Sequence, residues 1–420
     1  MKRALIATTA SVALLAVLSG CTGGAEAEPL EPAEVALGVD DVDDITLGLV
    51  VSSASDAGEG AEWLEASAGA EVAAYRFGLA GRTVSFSVVD DRGSAQRAVD
   101  GVGRLVDEGV SGIVLATSGP HVAEALDVAS EAGIPVVAPY LREDDLPDGV
   151  YVLGPSEDQV AAGIAGARDL DGADATVVVV GDGAPAPEVV GARTVTLDGS
   201  NLADVVDDIV DGVQDRSVDS VVVSASTTTQ ARVVAALQGE TPDLPVYLTP
   251  EALSPRFAQA IMQGDGTASG VLEAVGVDAS DASTLGSDAA ADSAAAYFAA
   301  LRLLASDPDA TSAVDGTLLQ QVVADADLVS HDAVVALVRA AAAAGSTAPA
   351  EVAAALAGLE LGAEQALAGP PLDFSSTHVV PDRGVALLRA TTQDPGVRPQ
   401  PLDGADAPRL FWFGVGDAQD

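Results

Sequence analysis

Hydroxyl-bearing residues gather where apolar runs give way to helix signals. Thr117, Ser118 and Gly119 follow the run 112–116 and stand directly before Pro120. Free backbone N–H groups and hydroxyls at a helix start can hold a carboxylate; Ser118 would equally serve there as an ordinary N-cap. Ser52 and Ser53 close the first apolar run, as site residues or as plain turn residues. Ser224, Ser226 and Thr227 end a later run, and Thr249 and Glu251 follow another. Glu251 either faces a ligand ammonium or satisfies a helix dipole with no ligand. Tyr140, after "VVAP", either covers an apolar ligand group or edges the core. Such groups can hold a small polar solute by hydrogen bonds, and no catalytic constellation accompanies them. His121, His331 and His378 are far apart with no spaced partner ligands, so no metal is expected. Nor is there a Gly-x-Ser-x-Gly elbow, a Gly-Lys-Ser/Thr phosphate loop or a His-Glu-x-x-His motif. Asp90 and Asp91 read as an acidic turn at a strand end. The chain is expected to be no enzyme and to need no cofactor.

These residues require strand ends to carry them. "ITLGLVVS" and "RTVSFSVVDD" are strand-like, and between Ser94 and Glu108 the apolar positions Ala95, Ala98, Val99, Val102, Leu105 and Val106 mark a helix face. Strand "GIVLAT", helix "PHVAEALDVASEAG" and strand "IPVVAPY" follow. Strands alternating with helices through short links imply a parallel sheet with right-handed crossovers. The plan then recurs from "ATVVVVGDG" through helix "NLADVVDDIVDGV" to "SVVVSAS" and "LPVYLTP". Two α/β units built alike suggest two lobes. Ligands of open parallel sheets sit beyond the carboxyl ends of strands, so two facing edges would form a cleft.

The N-terminus carries a different chemistry. Lys2-Arg3, the apolar run Ala4–Leu18 and the small residues Ser19 and Gly20 lead into Cys21, the one cysteine among 420 residues. This has the charge and length of a secretory signal, residues 1–20, and is short for a membrane span. The stretch "LSGC" resembles the lipobox of bacterial lipoproteins, which implies lipidation of Cys21 and an extracytoplasmic protein anchored to the cell membrane. Residues 21–44 hold eight acidic and no basic residues and read as a flexible acidic linker. Across the chain, 64 acidic against 19 basic residues give a net charge of −45. That argues against a basic face for nucleic acid or anionic lipid, while 48% hydrophobic content suffices for a core.

The order of elements resembles the type I periplasmic binding proteins, in particular the branch serving ABC importers of branched-chain amino acids and amides. The resemblance is carried by "FGLAGRTVSFSVVDDRGSAQRAVDGVGRLVDEGVSGIVLATSG", "GPSEDQVAAGIAGA", "SHDAVVALVRAAAAAG" and "GPPLDFSSTHVVPDRGVALLRAT". It implies an α/β fold of two similar Rossmann-like lobes with parallel sheets, closing on a small polar ligand. It further implies three crossings, near Leu153, Val275 and Leu367, with lobe one from 45–153 and 276–366 and lobe two from 154–275 and 367–415. A ligand carboxylate at Thr117–Gly119, an ABC permease as partner and a monomeric state are implied with it. One departure stands out: "VVVVGDGAPAPEVVGARTVTL" runs from strand to strand where the family inserts a long helix.

Overall fold

A β-branched run without polar alternation belongs in a strand covered on both faces. Ile45–Val51 (β1) is one: every residue but Thr46 is buried. The computed structural model describes residues 34–400 and 409–415, apart from 40, 41, 43, 57, 265, 268 and 269. The expected signal segment and Cys21 lie outside the described residues. β1 stands between β2 (Val84–Asp90) and β3 (Ile113–Leu115), and β4 (Val136–Ala138) and β5 (Val150–Val152) extend a parallel sheet of order 2-1-3-4-5. Leu47, Leu49 and Val51 join the core beneath helices Gly69–Leu79, Leu328–Ala344 and Pro349–Leu356. Val50 faces the opposite way, toward helices Ala95–Glu108 and Ala123–Glu131. On that side Gly48 lets the first of these helices approach closely, since a Cβ there would lie 2.6 Å from Leu105 Cδ1.

The second sheet repeats the plan. β6 (Thr176–Val180), β7 (Arg193–Thr196), β8 (Ser220–Ser224), β9 (Val246–Leu248) and β10 (Leu272–Val277) are parallel and ordered β7-β6-β8-β9-β10, which is 2-1-3-4-5 again. Val177 and Val179 face helices Leu202–Asp215, Thr227–Glu240 and Arg256–Gln263, while Val178 faces helix Glu157–Asp171. A short antiparallel pair, β11 (Glu360–Leu361) and β12 (Leu372–Asp373), belongs to neither sheet, and β13 (Val385–Thr391) and β14 (Phe411–Gly414) add antiparallel strands beside β10. The two units read from the sequence are therefore two copies of one topology. Between β6 and β7 the residues 181–192 form no helix, and β7 is a largely exposed edge strand.

Two boundaries differ from expectation. The acidic linker does not extend to Asp44: Leu37, Val39 and Val42 are buried against the first sheet. Arg76 Nε donates to Val35 O (2.9 Å) and Arg339 Nη1 to Gly38 O (2.8 Å), so the segment is held as well as buried. Burying an aliphatic side chain is worth about 1.5–3 kcal/mol, which outweighs the spacer-like charge pattern around these three. The last crossing also comes later than Leu367. Leu367, Leu372, Phe374, Val379 and Val380 share the core of β1, and Thr377 O and Val379 N bond Val152 alongside β5. The chain joins the second sheet at Val385. An apolar stretch that can cover the first sheet stays with it.

Helix Leu328–Ala344 carries a buried polar relay. Arg76 Nη1 lies 2.9 Å from His331 Nε2, and His331 Nδ1 lies 2.7 Å from Asp332 Oδ1. Burial lowers the His331 pKa and lowers that of Arg76 to about 10, with Asp332 opposing both. A neutral imidazole therefore donates from Nδ1 to Asp332 and accepts from Arg76. Asp332 also accepts the Ala368 and Gly369 N–H groups, each at 2.8 Å.

Candidate functional site

Parallel strands end on one edge, so the residues that follow β1 to β4 converge, as do those after β6, β8 and β9. At the first edge the hydroxyls of Ser52, Ser53 and Thr117 bond to the protein itself. Ser52 Oγ donates to Asp91 Oδ1 (2.5 Å) and pairs with Thr117 Oγ1 (2.7 Å), and His121 Nε2 lies 3.2 Å from Asp91 Oδ2. Ser53 donates to Asp90 from both N–H (2.9 Å) and Oγ (2.6 Å). The backbone of residues 58–60 lies on the Thr117–Gly119 turn. A Cβ on Gly60, whose φ is 95°, would fall 1.9 Å from Thr117 Oγ1 and 2.7 Å from Ser118 N; one on Gly119 would fall 2.8 Å from Gly58 O. The turn expected to hold a ligand carboxylate is covered by the chain's own backbone.

The second edge is equally self-satisfied. Ser224 Oγ donates to Pro185 O (2.7 Å). Ser226 Oγ donates to Asp182 (2.6 Å) and caps the helix that follows by accepting Thr229 N–H (3.3 Å). Thr227 Oγ1 donates to Glu251 O (2.7 Å), and Thr249 Oγ1 donates to Glu251 Oε2 (2.6 Å) while accepting from Gln230 Nε2 (2.8 Å).

Two of the expected residues do meet. Tyr140, after β4, and Glu251, after β9, line one cavity of about 460 Å³ between the two strand edges, within the size range of small-molecule sites. Ser52, Ser53, Thr117, Ser118, Gly119, Ser224, Ser226, Thr227 and Thr249 do not line it. The physical reason is the same at both edges: short side chains at strand ends close on neighbouring carboxylates, hydroxyls and carbonyls before they reach across a cleft. Longer side chains reach it. The Tyr140 ring stacks on Trp63 with centroids 4.4 Å apart and planes 6° from parallel. Glu251 pairs with Arg142 of the opposite lobe, Oε1 to Nη1 at 3.1 Å. A second pair between lobes joins Glu65, two residues past Trp63, to Arg256, five residues past Glu251, at 3.0 Å. The residues around β14 close another side of the cavity: Arg398 pairs with Asp281 (2.8 Å) and Arg409 with Asp325 (2.9 Å), and Trp412 contributes its ring.

Trp63 and Arg142 were legible in principle. One of two tryptophans falls in the first strand-to-helix connection, and Arg142 stands two residues past Tyr140. Nothing in the sequence pattern points to Arg398 or Arg409. Among the described residues, no group of three or more His, Cys, Asp or Glu side chains could hold a metal ion, and no single helix is long and apolar enough to cross a membrane.

Solved structures share this architecture. The isoleucine complex of LivJ, a branched-chain amino acid transporter substrate-binding protein from Streptococcus pneumoniae, is similar with a TM-score of 0.61 at 18% identity, covering 83% of this chain and 96% of that one. An ABC transporter substrate-binding protein from Desulfitobacterium hafniense in complex with Leu gives 0.59 at 16% identity, covering 88% and 100%. A type 1 periplasmic binding protein from Bordetella pertussis gives 0.58 at 16%, covering 86% and 100%. Among curated protein sequences none matches this chain. The family described as periplasmic binding protein matches residues 44–395, which covers every strand from β1 to β13: the chain belongs to the periplasmic binding protein family.

Proposed function

We propose that this protein is a membrane-anchored, extracytoplasmic solute-binding lipoprotein that delivers a small polar solute, of amino-acid or amide type, to an ABC importer. The observation that carries the reading is the cavity between the lobes, where Tyr140 of one strand edge and Glu251 of the other face a common space. Solute engages both lobes and favours the closed arrangement by its differential contacts there. Anchoring through Cys21 keeps such a receptor beside its permease.

Thermal unfolding with a panel of amino acids, amides and ureas tests the binding. A solute at 100-fold over its Kd adds about 2.7 kcal/mol of stability; a flat response across the panel overturns the reading. Cys21→Ala is expected to move the protein out of the membrane fraction, and retention of Cys21→Ala in that fraction overturns the anchor.

A second reading, a binding-fold lipoprotein acting as a sensor or envelope interaction module, is favoured by the Arg142–Glu251 pair. That pair engages with a guanidinium the carboxylate that a ligand ammonium would use. Capture of a membrane protein other than importer subunits supports it; recovery of permease and ATPase alone overturns it.

A further inference from the structure

The charges lining the cavity cancel in pairs, with one exception. Arg142 is bound to Glu251, Arg398 to Asp281 and Arg409 to Asp325. Asp327 remains. Its Oδ1 accepts Ser330 N–H (2.8 Å) and Ser330 Oγ–H (2.6 Å), which caps helix Leu328–Ala344, and no cationic side chain pairs with it among the described residues. Arg398, the nearest source of positive charge, spends its Nε on Asp281 and its Nη1 on the carbonyls of Ala324 and Ala326. Burial raises the Asp327 pKa to about 6, against the opposing bonds from Ser330, the Tyr140 hydroxyl and the charge of Arg398.

Two further buried hydroxyls belong to residues lining the cavity: Tyr140 Oη lies beside Asp327 and Ser330 without a well-aligned bond to either, and Ser280 Oγ has no hydrogen-bond partner. Both residues are 8% exposed. Unsatisfied buried polar atoms are uncommon in native folds and call for an explanation. The lining also carries aromatic residues, among them Trp63, Phe257, Phe411 and Trp412.

We infer that the cavity takes an organic monocation, with an ammonium group seated at Asp327 and Tyr140 and an apolar or aromatic body against the Trp63 and Trp412 walls. Aromatic faces attract such cations as well as packing their apolar parts. The net charge of −45 steers cations toward the protein and repels anions. Arg142 disfavours a cation at Glu251 and leaves Asp327 as the acceptor. This inference rests on reading the cavity as the solute site and narrows the solute class from polar to cationic.

Isothermal titration of the full chain in detergent tests it, using phenethylammonium and isopentylammonium as probes, 2-phenylethanol and 3-phenylpropionate as neutral and anionic counterparts, and leucine alongside. Saturable binding of an ammonium probe is expected, at least tenfold tighter than that of its counterparts. Asp327→Asn preserves an N-cap oxygen and is expected to weaken ammonium binding at least tenfold. Tyr140→Phe, which removes only the hydroxyl, is expected to weaken it several-fold, and it decides the matter should Asp327→Asn not fold. No saturable ammonium binding, equal binding of the neutral counterpart, or folded variants that bind as the parent does would overturn the inference. Leucine binding without ammonium binding sinks the inference and leaves the amino-acid reading standing. Ammonium binding without any amino-acid or amide binding does the reverse.

Discussion

Trp63→Ala is expected to destabilise the fold by about 3–5 kcal/mol, the range for removing a buried tryptophan ring, and to abolish measurable solute binding. Trp63 is 8% exposed and lies flat on Tyr140, so its loss empties one wall and frees the ring beside it. Stacked aromatic pairs contribute about 0.5–1.5 kcal/mol beyond their buried area. Trp63→Phe keeps a ring at the position and is expected to recover more than half of the lost stability. Urea unfolding followed by titration with bound solute reads both effects. A change under 1 kcal/mol with unaltered affinity would show that the stack neither supports the lobe nor shapes the cavity.

Asp332→Ala carries the second large effect, about 3–5 kcal/mol, because truncating one partner of a buried charge network leaves the others unpaired. Three donors lose their acceptor together: His331 Nδ1–H and the N–H groups of Ala368 and Gly369. Arg76 keeps its charge at 1% exposure with its nearest carboxylate gone. The relay joins helix Gly69–Leu79, the core helix and the segment after β11, so the loss falls on lobe one. Chemical denaturation should show a lower midpoint, and native-state hydrogen exchange should show the loss concentrated in residues 328–344 and 362–370. A loss below 1 kcal/mol would mean that water replaces the carboxylate at no cost.

The fold was legible because its signals are redundant. Runs such as Val177–Val180 and Val221–Val223 carry strand periodicity, helix faces such as Val102 and Leu105 carry a separate period, and the two halves repeat each other. Legibility fell where one residue had two uses. Thr117 at a strand end is equally suited to a ligand or to Ser52, and only the path of residues 58–60 decides between them. Acidic composition hid the burial of Leu37, Val39 and Val42, because three aliphatic anchors outweigh the charge pattern around them. Asp332 illustrates the remaining difficulty. Its partners come from positions 36 and 37 residues downstream and, through His331, from position 76, and no local pattern connects them.

The ion pairs that join the lobes have a kinetic meaning. Arg142–Glu251 and Arg256–Glu65 link the strand edges directly, and Arg398 and Arg409 hold the chain leading to β14 against lobe one while β14 itself is paired in the second sheet. A solute enters such a receptor only after its lobes part. The observed association rate then stops rising with solute concentration and levels at the opening rate, and release waits on the same step. A cleft held by its own side chains exchanges slowly in both directions, so its residence time is set by the strength of these pairs and shortens as ionic strength rises.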